Sequence, residues 1–504
     1  MSLWLALWLP ATAQDTIRYH IGAQAGIASE NYLPHWLAAN RYGTLDFDES
    51  GVGLLRAGGE LRHTFTNRFS VEGEVELLAK YSGNPGQSSD FWLQQGYVRI
   101  RYGIFELTGG RWQRTLGSPD EDLSTGSLAI SGNARPFTQL LLSVPEYSDV
   151  PFTRGWVQFK GTYGHGWLGE DRYIRGAFLH EKSFFARVGK DLPVNLSGGL
   201  IHLVVWAGEV PGQGPLPDDL KNYWQVIRGQ GAVSNDPIAV GEVVNAAGDN
   251  IGVYDLGVEV KTKPLRARIY HQTLFEDGSG NSPFNGDRLV GIQLSSSRTT
   301  PWLQSFVYEF MSTKYQSGPS RPGGVDDGPG SRDRNGERYG GRDNYYNNSI
   351  YKSGWTYQDR IIGTPLFYTR ARTRLYLPGF TEPERWQFNF NIVNNRVVAH
   401  HVGASGKINK IGYKLLATFT NNLGTYGGAN GGITEWGTLD NPDAPYAFRP
   451  AQRQAHFLLE VESHPFSDRW SLLTSLAIDA GDLTNNAGVL IGLRREGMMS
   501  FEEK

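Results

Sequence analysis

The densest run of ionisable side chains comprises His165, Glu170, Asp171, Arg172, His180, Glu181 and Lys182, with Trp167 and Tyr173 among them. A carboxylate beside a guanidinium, with imidazoles nearby, suits proton transfer or contact with an acidic sugar. The same groups suit a bracing salt-bridge network, because charges withdrawn from water are normally paired. We read them as such a network. A second group, Arg342, Asp343, Tyr345, Tyr346 and Trp355, combines flat apolar rings with planar polar groups. Rings stack on sugar C–H faces, and the polar groups meet hydroxyls. The competing reading is a folded loop held by internal Arg–Asp pairs, and both stay open.

Other chemistries fail on spacing. His180-Glu181 lacks the second His of a zinc helix. His400 and His401 alternate faces if they lie on a strand, so they do not share one metal. Ser405 is followed directly by Gly406 and Lys407, which breaks a nucleophile elbow. Gly406-Lys407 has His401 where a phosphate loop needs Gly. Asp326, Asp327, Asp333 and Asn335 miss the calcium-loop pattern. No metal site is expected from these residues.

The elements that must carry these groups alternate in polarity. Val71–Leu77 reads VEGEVEL and Gln387–Ile392 reads QFNFNI. A period of two marks strands with one greasy and one polar face. Ladders such as Glu72/Glu74/Glu76, Arg99/Arg101, Arg266/Arg268 and Arg370/Arg372/Arg374 are too charged for a packed core. An outer-membrane barrel places such residues in a wet lumen and the apolar phase against lipid. The ionisable cluster above is then a lumen polar network. Hydrophobic content of 39% fits strands half-turned to water, and no linker divides the 504 residues. A net charge of −3 leaves no footprint for nucleic acid. The lack of Cys removes disulfides, thiolate metal sites and a lipid anchor on Cys.

The apolar run Leu3–Leu9, followed by Ala11-Thr12-Ala13, reads as a signal peptide over 1–13. Residues 14–50 are assigned to an N-terminal periplasmic or helical segment, with a short helix near Asn31–Asn40. A barrel of about 18 antiparallel strands occupies 51–497, and 498–504 form a C-terminal extension. Strand candidates include 54–65, 70–81, 91–102, 105–116, 153–162, 365–377 and 385–393. Residues 217–229 read as an amphipathic helix with Pro and Asp at its start and Gly at its end. The long connections, 207–250 and about 317–348, face away from the cell.

Ordered segments along the chain resemble the Wzi family of capsule assembly proteins, closest to its Bacteroidetes branch. They are Leu33–Gly43 (LPHWLAANRYG), Ser124–Ala134 (STGSLAISGNA), Gly164–Tyr173 (GHGWLGEDRY), Leu179–Lys182 (LHEK), Asn245–Asn250 (NAAGDN), Phe275–Gly280 (FEDGSG), Gly341–Asn348 (GRDNYYNN), Gly354–Tyr357 (GWTY) and Gly363–Leu366 (GTPL). The resemblance implies an 18-stranded outer-membrane barrel with a small helical part. It implies a lectin that binds and anchors capsular or extracellular polysaccharide, without a cofactor. Its partners would be that polysaccharide, outer-membrane lipid and the polysaccharide export machinery. A substrate-specific porin is the alternative, since inward Arg and Glu ladders also set channel selectivity. A hydrolase built on His180 is a third reading.

Overall fold

The computed structural model describes residues 14–84, 89–235, 240–244, 246–276, 280–296, 302–317, 343–380, 390–425 and 447–502. The signal-peptide segment, Arg342 and most of the 385–393 strand candidate lie outside them. Eighteen strands form one antiparallel sheet that closes on itself. They are β1 (Gln14–Ala28), β2 (Gly51–Thr66), β3 (Phe69–Ser82), β4 (Asp90–Tyr102), β5 (Phe105–Arg111), β6 (Thr138–Asp149), β7 (Val157–Trp167), β8 (Phe178–Val188) and β9 (Val194–Trp206). The circuit continues with β10 (Asp249–Lys261), β11 (Leu265–Phe275), β12 (Arg288–Ser296), β13 (Ser305–Ser312), β14 (Val397–Ile408), β15 (Ile411–Asn422), β16 (Gln452–Ser463), β17 (Trp470–Gly481) and β18 (Asn486–Glu502). The β1–β18 pairing, from Gln14 opposite Glu502 to Ala28 opposite Gly488, closes the barrel.

Each strand alternates as the sequence does. Val75, Leu77, Val98, Ile100, Leu140 and Leu142 are exposed on the outer wall. The opposite phase zips charges across neighbouring strands. Arg99 reaches Glu72 at 2.7 Å and Glu106 at 3.2 Å, and Arg101 reaches Glu106 at 2.8 Å. The turns on the side of the chain termini are short, such as 67–68, 103–104 and 409–410, whereas 29–50, 112–137, 207–248 and 313–396 all leave the opposite end. Long connections mark the extracellular face.

Three of these outer connections fold back into the lumen and pack against its wall. Residues 29–50 carry α1 (His35–Ala38), whose side chains are all buried. Leu33, Trp36 and Leu37 pack against wall residues Leu54, Leu78, Leu416, Leu458 and Leu490. Residues 207–248 carry α2 (Leu220–Arg228) and α3 (Val240–Val244); residues 343–396 contain α4 (Arg370–Tyr376), and their Tyr345, Tyr346, Trp355 and Phe367 form a second core with Leu128, Ala129 and Ile130 of 112–137. Irregular backbone inside a barrel must find partners for every amide. The wall supplies them: Glu309 accepts from the Thr125 amide at 2.7 Å, Gln272 from that of Leu128 at 2.9 Å, and His401 Nε2 lies 2.7 Å from Leu123 O. The wall glycine Gly403 lets the backbone come this close, since a Cβ there would collide with Leu123 O.

One side chain ties the three segments together. The buried Arg360 donates to Ala38 O at 2.8 Å, Leu45 O at 2.7 Å and Asn133 O at 2.9 Å. Asp46 stands 3.6 Å away as counter-charge, and the guanidinium stacks over Phe47. Burial pulls its pKa down to about 10, so it stays charged at neutral pH.

The structure corrects several expectations. Residues 14–28 belong to the barrel as β1, and only 29–50 form the helical part, which enters the lumen from the outer end. Residues 498–502 are the last rungs of β18 and not an extension. Residues 365–377 are not a barrel strand; only Tyr368–Thr369 are extended, paired with Ile392–Asn394 inside the plug. The Arg370/Arg372/Arg374 alternation falls on α4, capped where the Thr369 side chain accepts from the Arg372 amide. Arg and Leu are good helix formers, and Thr at the N-cap starts the turn. The candidate at 153–162 starts at Val157, and β6 lacks a clean alternation because it carries Pro145 and a register break between Val144 and Ser148. The helix expected in 217–229 is α2 (Leu220–Arg228), with Asp219 accepting from the Lys221 and Asn222 amides and Gly229 in the left-handed C-cap.

Arg360→Ala should strand the Ala38, Leu45 and Asn133 carbonyls and cost roughly 3–5 kcal/mol. A lowered unfolding midpoint in detergent would register this, with Arg360→Lys intermediate because it loses the planar fork. An unchanged midpoint for Arg360→Ala would contradict the clamp.

Candidate functional site

The outer end of the plug receives the group read as a sugar platform. Tyr345, Tyr346 and Trp355 are 0% exposed and Asp343 only 7%. Trp355 Nε1 donates to Ala129 O at 2.9 Å, and the Tyr346 hydroxyl donates to Leu128 O. These rings present no open face and pack in the plug core. Burial of large aromatic area, not recognition, explains their density in the sequence.

These residues join the two described ends of the 318–342 connection. Ser317 and Asp343, which flank residues 318–342, are joined directly by the Ser317 hydroxyl donating to Asp343 Oδ2. The Tyr345 hydroxyl donates to Asp287 Oδ2 at 3.0 Å, and Asp287 also accepts from the Ser317 amide at 3.0 Å and the Tyr315 amide at 2.9 Å. The Glu276 amide donates to Asp343 at 3.3 Å, and its carboxylate accepts the Tyr346 amide. Burial, with Asp343 adjacent, pushes the Glu276 carboxyl well above its ordinary value. Burial also lifts Asp287, to about 6. The acids here serve as acceptors that fix the base of the 318–342 connection.

The ionisable cluster divides by strand phase. Glu181 points into the lumen, where Arg114 meets it at 3.1 Å and the Thr162 hydroxyl donates to it at 2.9 Å. Arg172 donates to Thr356 O at 3.2 Å and Gly354 O at 3.4 Å, tying the rim to the plug. Burial lowers its pKa to about 10. Glu170 and Asp171 are exposed at the rim. His165, His180 and Lys182 take the outer phase, in register with the exposed Tyr163 and Phe184. Assigning all seven to one lumen network is therefore corrected: neighbours along a strand face opposite sides.

Sequence reasoning missed a buried polar group between plug and wall. His456 Nδ1 lies 2.7 Å from Asp479 Oδ1, and the His35 amide donates to Asp479 Oδ2 at 2.8 Å. Arg372 of α4 donates to His35 Nδ1 and to Pro365 O, while its guanidinium stacks over Phe47 and Tyr368. This Asp–His pair resembles catalytic machinery, but every member is buried. It locks α1 and α4 to β16 and β17. Burial, with His456 and Arg372 nearby, holds His35 well below the ordinary imidazole value. Only the Leu33–Gly43 segment pointed to this region.

Beneath the plug, towards the short turns, a polar cavity of about 320 Å³ is lined by Thr115, Ser118, Asp120, Glu121, Arg268 and Gln293, among others. Its charges are already engaged: Asp120 accepts from the Asp122 and Leu123 amides and from Gln293, and Thr115 donates to Glu121. Among the described residues no cluster of three metal-ligating side chains occurs.

The model of the family "Capsule assembly protein Wzi" matches residues 53–371, well over half of the chain. The chain belongs to the Wzi family. The Escherichia coli outer-membrane protein Wzi, described as a carbohydrate-binding β-barrel involved in group 1 capsule assembly, superposes with a TM-score of 0.55. It shares 13% identity over 94% of this chain and 83% of that one. Acinetobacter baumannii OccAB4 gives 0.46 at 8% identity over 96% and 98%, and Pseudomonas aeruginosa OccK5 gives 0.45 at 9% over 97% and 98%. No curated protein sequence matches the chain. The closed barrel and its apolar outer wall make this Wzi-family chain an outer-membrane protein.

Protonating His35 would place a second buried charge beside Arg372. Below the unfolded value near 6.5 the unfolded chain takes up a proton that the folded plug resists. Stability is therefore full above about 6.5 and falls as pH drops further. Unfolding midpoints between pH 7.5 and 5 should decline less steeply in His35→Gln, and an identical slope would contradict this assignment.

Proposed function

We propose that this protein binds extracellular or capsular polysaccharide and anchors it at the outer face of the outer membrane, without catalysing its turnover. The observation that carries the reading is a lumen entered from the outer end by three connections that pack against its wall, with the long described connections on that end. A diffusion pore needs an open lumen, whereas an anchor needs a rigid outward platform. Membership of a capsule-assembly family supports the same choice, as does the carbohydrate binding of the Escherichia coli protein that shares the fold. The plug core holds the 318–342 connection by its base, so the ligand-contacting surface is proposed to be the outer connections and not the buried Asp343–Trp355 group. Arg342, within that connection, remains a proposed contact. The export machinery is proposed as the source of the bound polymer.

Purified protein should retain the host's own extracellular polysaccharide and not an unrelated one. Replacing 320–340 by a short Gly/Ser segment should reduce retention at least tenfold while the barrel keeps its unfolding midpoint. Undiminished retention would remove this connection from the site, and no retention by the native protein would contradict the reading.

A further inference from the structure

The connection 207–248 divides: Val210 and Leu216 join the plug core, whereas its helix α2 lies over the outside of the barrel. Its α2 presses Tyr223 and Val226 onto outer-phase residues of β8 and β9. The Tyr223 ring stacks on Trp206 at 5.1 Å and 23°, and Val226 joins Val204, Trp206, Ala232 and Ala247 in a buried cluster. The Tyr223 hydroxyl lies 3.3 Å from His180 Nδ1. Lys182 donates to Ile227 O at the carboxyl end of the helix, where a cation is favoured. The excursion thus covers polar groups that would otherwise face lipid, where charge is disfavoured.

The opposite face of α2 has no protein over it among the described residues. Leu220 is 86% exposed and Trp224 58%, one turn apart on one side of the helix. Their level is fixed by strand register. Leu140 of β6 pairs with His165 and Leu142 with Tyr163, and both leucines are exposed on the outer wall. The groups that α2 covers therefore stand at the height where the next strand presents leucine to lipid. We infer that α2 is a membrane-embedded collar whose Leu220 and Trp224 insert among acyl chains of the outer leaflet, continuing the apolar belt across β7–β9. An amphipathic helix with Trp and Leu on one face and Lys221 and Arg228 beside it suits an interfacial position. The inference is independent of polysaccharide binding.

The chain has no Cys, so single labels are clean. Leu220→Cys, Trp224→Cys and, as an outer-connection control, Phe284→Cys would carry bimane in phosphatidylcholine vesicles. Nitroxide-bearing lipid should quench positions 220 and 224 at least threefold more than 284, and aqueous iodide should do the reverse. Iodide quenching at 220 and 224 equal to that at 284 would overturn the inference. Shielding from both quenchers would also overturn it, in favour of a protein partner such as a second copy. Each variant is read only from preparations that keep the native unfolding midpoint.

Discussion

Backbone that enters a barrel without being part of its sheet must have every buried amide and carbonyl partnered, and this constraint shapes the molecule. Arg360 is where it is met most economically. One guanidinium satisfies carbonyls from two plug segments while sitting on the third. A planar, permanently charged fork suits three fixed acceptors better than an ammonium. Around it the wall contributes side-chain acceptors and donors, Glu309, Gln272 and His401, at heights set by strand register. The lumen-facing charges are thus divided between two tasks. Those near the short turns pair across strands, and those further out serve the plug.

The wall has two faces and the protein uses both. Inward residues hold the three plug segments, and outward residues meet either lipid or α2. One polar stretch of the outer wall, His165, His180 and Lys182, is also where α2 packs on the outside. Polar side chains in the lipid-facing phase and the helix that covers them belong to one arrangement. Neither is stable at that depth alone.

Much of this was legible in the sequence. Period-two alternation identified most strands, the closed topology and the membrane, because each strand has one lipid face and one polar face. The α2 boundaries were legible because Asp219 and Gly229 are local signals. Less local features were lost. Arg370–Arg374 alternates like a strand yet folds as a helix, since a period of two over five residues is weak against capping at Thr369. The aromatic group at Tyr345–Trp355 has the composition of a sugar platform, and only packing distinguishes a platform from a core. The His165–Lys182 cluster is contiguous in sequence but divided by the wall. Arg360 carried no sequence signal, because its partners are backbone carbonyls of segments far away in the chain.

The central claim is that the barrel is closed by its own connections and works at its outer surface. Planar-bilayer recording of the purified protein tests it most directly. No steady conductance is expected from the native chain across a wide voltage range. Reproducible steady current steps from fully folded native protein would contradict it and favour a diffusion channel.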